Sequence, residues 1–159
     1  MTDRYAPRIP RELAAGVHQV TVNDFLIGTV TVKEVERRMT APTVAVNSNR
    51  VIGDQFELVG YDLKNDSITL HWRALKETDV DYTLFVHMLD ATGQIVAQND
   101  SQPHRRDDPA GRLYPTSIWV KGEYVSDTIS LNTRGTMIEI GWYIPETGER
   151  VGEVVEIKP

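Results

Sequence analysis

Hydrophobic and polar residues alternate with a period of two along much of this chain, most clearly within residues 66–90. Ile68, Leu70 and Trp72 share one face of the first segment there, and polar residues occupy the other face. This alternation is typical of an antiparallel strand with one buried side. The second segment, residues 80–90, is apolar on both faces, which predicts a central strand covered on both sides.

Several strand-like segments follow residue 54, and turn sequences separate them. They lie at residues 55–63, 67–75, 80–90, 93–99, 123–131, 136–144 and 150–157. Residues 90–93 and 145–148 have the Asp, Pro and Gly composition of β-turns. Because a long helical period is lacking, we predict an all-β fold: a two-sheet antiparallel β-sandwich of Ig-like or jelly-roll-like Greek-key type.

A hydrophobic core follows from the shared phase of these segments, since residues in phase point to the same side of a sheet. We predict that the core includes Phe56, Leu58, Leu70, Trp72, Leu84, Val86, Ile129, Ile138, Ile140 and Trp142. The aromatic members make this core large enough to hold a single domain together.

An extra amino-terminal hairpin is predicted by two further apolar segments, residues 17–22 and 25–35, which flank Asn23 and Asp24. Asn and Asp tolerate the positive φ that a tight turn requires. An isolated hairpin is marginally stable in water, so this one needs other strands to pack against.

The chain divides, on this interpretation, into a leader and hairpin at residues 1–40 and a β-sandwich domain at residues 41–159. Residues 37–50 contain Pro42 and a cluster of Asn and Ser, which predict an extended connector. A length of 159 residues is sufficient for a domain that buries a core without metal or disulfide staples.

Charge, cysteine content and the length of apolar runs argue against several classes of function. A net charge of −6 argues against nucleic acid as a partner, because phosphate backbones are bound by clustered Lys and Arg. The absence of cysteine excludes disulfides, thiol chemistry and Cys-ligated zinc. Apolar runs are far shorter than the roughly 20 residues of a membrane-spanning helix, so we expect no membrane insertion by this chain. A signal-peptide pattern is also lacking, which leaves a cytoplasmic location open.

Candidate catalytic residues are few. His71 and His87 lie on neighbouring predicted strands and would approach each other if those strands paired in register. A catalytic zinc needs three protein ligands and an open position, so two histidines do not define a metal site. Both histidines also fit a structural role with hydrogen bonds to nearby groups. We therefore predict no enzyme activity, no metal and no cofactor.

Candidate ligand-binding residues cluster in and near the polar loop 100–116, because loops and exposed aromatic rings often carry sites. The predicted set is Trp119, Tyr114, His104, Arg105, Asp107 and Tyr143. Trp119 has two interpretations: its ring either closes the end of the sandwich or lines a groove beside the loop. The loop itself is interpreted as a site for an anion, a sugar or calcium, or as a solvated segment whose charges partly cancel.

Several segments resemble a bacterial β-sandwich module. They are residues 60–63, 70–75, 81–90, 114–119, 122–123 and 141–148. The module recurs at the carboxyl-terminal or extracytoplasmic end of membrane glycosyltransferase-like and uncharacterised surface proteins, especially of Chloroflexi-type bacteria. The resemblance covers residues 52–152 and implies an extracytoplasmic location, with no catalytic residues to carry over. The hairpin region resembles the last hairpin of a preceding copy of the same module.

Three functions follow from these observations. The first is a non-catalytic accessory module that recognises glycans or acts as a spacer in a cell-surface or membrane-associated protein. The second is a structural module whose amino-terminal hairpin docks onto a neighbouring β-sandwich module or forms a homodimer. The third is a small hydrolase that uses His71, His87, Arg73 and loop carboxylates.

Overall fold

The computed structural model describes residues 13–64, 66–105, 108, 110–131 and 135–159. The regular secondary structure of the described part comprises β-strands and one short 3-10 helix, Thr116–Ile118. The strands are β1 Gly16–Val22, β2 Phe25–Val32, β3 Val46–Ile52, β4 Phe56–Lys64, β5 Ser67–Ala74, β6 Thr83–Leu89, β7 Ile95–Ser101, β8 Tyr124–Ser130, β9 Met137–Tyr143 and β10 Arg150–Ile157.

The chain forms two compact units, residues 1–37 and 38–159. The described part of the first unit is the antiparallel hairpin of β1 and β2, in which Val22 pairs with Phe25. Asn23 and Asp24 form the turn with φ of 48° and 67°. The predicted hairpin and its two-residue turn are therefore confirmed.

The second unit is a sandwich of two four-stranded antiparallel sheets. The first sheet has the strand order β3-β4-β5-β8, and the second sheet has the order β10-β9-β6-β7. The predicted all-β, two-sheet architecture is confirmed. All ten predicted core residues are buried between the sheets.

Aromatic rings fill the centre of this core. Phe56 stacks on Trp142 with ring centroids 4.3 Å apart, and Trp72 meets Trp142 edge-on at 5.0 Å. Trp119 also packs edge-on against Phe56, at 5.8 Å. Edge-on and stacked pairs add to the free energy of burying the rings themselves. The four rings link both sheets to the segment that follows the short helix.

One predicted connector is a strand. Residues 46–50 lie within the region predicted to be an extended connector, but they form most of β3, Val46–Ile52, at the edge of the first sheet. Their sequence has little alternation because most of the β3 side chains are exposed. Pairing with β4 therefore decides the structure of this segment, and the local Asn and Ser content does not.

The strands that carry the two histidines do not pair with each other. His71 lies on β5, which is hydrogen-bonded to β4 and β8, whereas His87 lies on β6 in the other sheet. The loop between these strands crosses from one sheet to the other, so their apolar faces meet across the core. The predicted approach of His71 to His87 is therefore wrong.

A strap, residues 38–45, covers the outer face of the first sheet. Its two ends are held by hydrogen bonds: the Tyr124 N–H donates to the Arg38 carbonyl at 2.8 Å, and the Ala45 N–H donates to Asp62 Oδ1 at 2.7 Å. Beneath the strap, Gly60 leaves no room for a Cβ, which would collide with the Val46 carbonyl oxygen and the Val44 side chain. The glycine thus permits close packing of the strap on the sheet.

Candidate functional site

A cleft of about 460 Å³ opens beside the strap, on the outer face of the first sheet. The strap, the loop before the short helix, β5 and β8 all contribute to its walls. The lining residues are Arg38, Pro42, Thr43, His71, Arg105, Tyr124, Val125 and Ser126. Most of these residues present polar or charged side chains, so the cleft is suited to a polar ligand.

A hydrogen-bonded series of Asp62, His71 and Ser126 forms the floor of the cleft. His71 and Ser126 are direct partners in the pairing of β5 with β8, and the ring Nδ1 lies 2.8 Å from Ser126 Oγ. The other ring nitrogen, Nε2, lies 3.1 Å from Asp62 Oδ2. An ionised carboxylate can only accept hydrogen bonds, so a neutral His71 ring donates a hydrogen bond from Nε2–H to Asp62. Its Nδ1 then accepts a hydrogen bond from the Ser126 hydroxyl.

Burial fixes this series. The His71 residue is 2 % exposed, because the strap covers its strand and the neighbouring strands flank it. Ser126 remains half-buried at the wall of the cleft. The imidazole therefore orients the Ser126 hydroxyl from below, and the hydroxyl oxygen is the part of the series that a ligand reaches.

Two arginines, Arg38 and Arg105, belong to the lining. Arg38 begins the strap, and its backbone carbonyl is bonded to β8. The Arg105 guanidinium lies over the Tyr114 ring, 5.1 Å from the ring centroid. A third arginine stands behind the cleft wall, where the Arg73 guanidinium lies 5.7 Å from the centre of the Tyr124 ring.

The base of the loop that carries Arg105 is firmly anchored. Tyr114 is buried, and its backbone N–H donates to the Pro103 carbonyl at 2.7 Å. Its hydroxyl donates to Glu123 Oε1 at 2.6 Å, while its carbonyl accepts from Trp119 Nε1 at 2.9 Å. Arg105 therefore rests on a ring whose position is set by three hydrogen bonds.

Asp127 ties the same loop to β8 from the interior. The strand alternates, so Ser126 faces the cleft while Asp127 points inward and is buried. Burial raises the pKa of Asp127 to about 6, although the backbone N–H and the ring charge of His104 act in the opposite direction. The carboxyl thus holds the His104 backbone next to Arg105.

The residues predicted to bind a ligand lie in different environments in the structure. Trp119 is 1 % exposed and Tyr114 is 5 % exposed, so neither ring offers a face for a sugar to stack on. For Trp119 the structure shows the alternative interpretation, in which the ring closes the end of the sandwich, because it packs against Phe56 and Trp142. Both rings support the site from beneath and do not line it.

The remaining predicted residues are dispersed. His104 is half-buried and pairs with Leu113 in an isolated β-bridge, while Arg105 lines the cleft. Tyr143 lies on the second sheet, with its ring 6.3 Å from that of Phe85. Asp107 lies outside the described residues.

His87 has its own charged surroundings on the outer face of the second sheet. Its Nε2 lies 3.0 Å from Asp100 Oδ1, and its Nδ1 lies 3.7 Å from Glu139 Oε2. Among the residues that the structure describes, no group of three or more His, Asp or Glu side chains is arranged to hold a metal ion.

Sequence reasoning missed Arg38, Thr43, Asp62 and Ser126 as site residues. Ser126 and His71 both fall on the polar side of their strands, which is a weak signal at best. The pairing of β5 with β8 joins residues far apart in sequence, and the strap crosses the sheet face without any recognisable motif. The site residues are therefore brought together by strand pairing and by the path of the strap, and not by a local sequence motif.

No protein-family model matches this chain, and comparisons with curated proteins and with solved structures find no significant match. Across the described residues, no helix has the length and apolar character needed to cross a membrane.

Proposed function

We propose that the sandwich is a non-catalytic accessory module that recognises a glycan in the cleft beside the strap. The cleft is the observation that supports this proposal. Its volume of about 460 Å³ suits a small polar ligand, and its walls bring hydroxyl and charged groups together. Thr43 and Ser126 supply hydroxyl groups of the kind that exchange hydrogen bonds with sugar hydroxyls.

A fixed hydroxyl supports binding in particular. Ser126 is oriented by His71, which is itself held by Asp62, so little rotational freedom is lost when a ligand accepts or donates a hydrogen bond there. Pre-organisation of this kind is favourable for weak polar ligands, whose affinity depends on a small number of hydrogen bonds.

The place of the module is proposed on other grounds. The resemblance of residues 52–152 to a module of bacterial surface and membrane glycosyltransferase-like proteins supports an extracytoplasmic location in a cell-surface or membrane-associated protein. A glycan-binding or spacing role is compatible with that location.

A glycan array probed at high protein concentration tests the proposal. We expect the parent chain to retain one class of glycan, and the double variant Thr43→Val, Ser126→Ala to lose it while keeping its melting temperature. The matched control is Tyr143→Ala, which removes a ring on the second sheet and should leave binding unchanged. Failure of the parent to retain any glycan, or equal binding by the double variant, would overturn the proposal.

A second candidate function is a small hydrolase, which the order of Asp62, His71 and Ser126 favours. The same three groups activate a serine for acyl transfer, where the serine is bonded to Nε2 of the histidine and the carboxylate to Nδ1; in His71 the two ring nitrogens have the opposite partners. A fluorophosphonate probe distinguishes the two candidates: labelling of the parent, abolished in Ser126→Ala, would establish a reactive serine. Absence of labelling at high probe concentration is the result that the binding function predicts.

A further inference from the structure

We propose that the cleft selects ligands that bear an anionic group, a carboxylate or a sulfate, with Arg38 and Arg105 as its recognition residues. This inference rests on the proposed glycan-binding function and defines the class of glycan as acidic.

The cleft contains two arginines, although the chain as a whole is acidic. The sequence contains 23 acidic residues and 17 Lys and Arg, for a net charge of −6. Nevertheless, the described residues that line the cleft include two arginines, and the carboxylate of its floor, Asp62, already accepts the Ala45 N–H and lies beside His71. Two guanidinium groups in one concave site of an acidic protein favour an anion at that site over a neutral or cationic ligand.

The form of the cationic groups favours planar and tetrahedral oxyanions. A guanidinium presents paired N–H donors that match the two oxygens of a carboxylate or sulfate, which a point charge does not. Arg38 belongs to the strap and Arg105 to the loop, so the two groups reach the cleft from different elements. An anion in the cleft would therefore have guanidinium donors from two elements of the fold.

The support for Arg105 makes its placement specific. Its guanidinium lies over the ring of Tyr114, and that ring is held by Glu123 through the tyrosine hydroxyl. A guanidinium stacked on a fixed aromatic ring has fewer conformations to lose on binding. On the floor of the cleft, the Ser126 hydroxyl offers a further hydrogen bond to the same ligand.

Matched ligands test the inference. Saturation-transfer NMR and calorimetry would compare a glucuronate-containing oligosaccharide, its glucose counterpart and inorganic sulfate. We expect the acidic sugar to bind about 10- to 100-fold more tightly than the neutral one, as loss of a charge-assisted hydrogen bond implies. Affinity should also fall as salt is added. A response to sulfate alone would assign the selectivity to the anion and not to the uronate ring.

Variants locate the effect. Arg38→Gln and Arg105→Gln should each weaken binding of the acidic sugar about 10- to 100-fold, and Arg105→Lys should restore only part of it. The control is Arg50→Gln, an exposed arginine of β3 that does not line the cleft. Melting curves of each variant would show that the fold is retained.

The outcomes separate this inference from the function on which it rests. Equal binding of neutral and acidic sugars, unchanged in both arginine variants, would overturn the anion selectivity and leave glycan binding in place. Binding of sulfate with no binding of either sugar would support the anion site and overturn the glycan function. Binding of neither sugar nor sulfate would overturn both.

Discussion

The hydroxyl of Tyr114 donates a 2.6 Å hydrogen bond to Glu123, and both residues are buried. The bond closes the segment that contains the short helix and Trp119, and it fixes the ring on which Arg105 rests. A buried polar pair therefore connects the core of the sandwich to a cleft on its outer surface.

Removal of that hydroxyl tests the connection. Tyr114→Phe keeps the ring and deletes the donor to Glu123, so we expect the free energy of unfolding to fall by about 1–3 kcal/mol. Denaturant unfolding measures this difference. Tyr143→Phe, on the half-exposed face of the second sheet, is the control and should change stability by less than about 0.5 kcal/mol. Equal stability of Tyr114→Phe and the parent would show that the bond contributes nothing.

Truncation of Trp119 should destabilise the fold. The ring is buried against Phe56 and Trp142, so Trp119→Ala is expected to cost about 3–5 kcal/mol. Trp72→Ala, in the centre of the same core, should have a similar effect. Thermal and denaturant melts measure both. A Trp119→Ala protein that melts like the parent would return this ring to the surface role that was one interpretation of the sequence.

The sequence predicted the fold well because the fold depends on local alternation. Residues such as Leu70 and Trp72 share a phase that only a strand can satisfy, and Asn23 and Asp24 specify a turn through their tolerance of positive φ. The edge strand β3 was missed because an edge strand buries little and carries no alternation to detect. Its structure is set by the strand beside it.

The cleft was not predictable in the same way. Arg105 was identified because it lies in a polar loop, but its neighbours in the cleft come from β5, β8 and the strap. Trp119 was ambiguous because an aromatic residue at the entrance to a strand fits both a core and a surface position. Only the long-range pairing of β5 with β8 brings His71 to Ser126.

Asp127 gives the protein a predicted pH dependence of stability. Its pKa is raised by burial from 3.8 to about 6, so between those values the native state holds a proton that the unfolded chain has released. Stability from this group is therefore greatest at low pH and is lost as the pH rises through about 6. The difference between 3.8 and about 6 corresponds to at most about 3 kcal/mol in the free energy of unfolding.

Asp127→Asn isolates this effect, since the amide is neutral at every pH and keeps an oxygen for the His104 N–H. We expect the variant to be more stable than the parent by about 1–3 kcal/mol at pH 8, and the difference to vanish near pH 4. Urea unfolding across this range measures it, and titrating groups that do not interact with Asp127 cancel in the comparison. A difference that does not change with pH would refute the raised pKa.

Gly60 should control how the strap packs on the first sheet. A methyl group at this position would collide with the Val46 backbone and the Val44 side chain, so Gly60→Ala is expected to cost about 1–3 kcal/mol. Because the strap forms one wall of the cleft, ligand binding should weaken as well. Gly28→Ala is the matched control, since nothing lies within 4 Å of its added Cβ. Thermal melts of the two variants, measured in parallel, test this difference in stability. Equal destabilisation by Gly60→Ala and Gly28→Ala would contradict the close contact at Gly60.

The amino-terminal hairpin exposes more apolar surface than a two-stranded sheet can support alone. Phe25 is 76 % exposed and Ile27 is 64 % exposed, and their neighbour Leu26 is exposed as well. Consecutive exposed apolar residues of this size are typical of an interaction surface, and strand addition would also extend the two-stranded sheet that the described residues form. We expect the partner to be a second copy of the chain, because identical edges can pair with each other.

Sedimentation velocity over a range of protein concentrations tests this expectation. The parent should shift from monomer to dimer as the concentration rises, and the double variant Phe25→Ser, Ile27→Ser should stay monomeric with an unchanged melting temperature for the sandwich. Val51→Ser removes an exposed apolar residue from β3 and should leave the dimer intact. Deletion of residues 1–37, the whole first unit, should likewise give a soluble monomer. If the parent stays monomeric at every concentration, the hairpin does not join two copies; if the deletion aggregates, the hairpin instead protects the sandwich of its own chain.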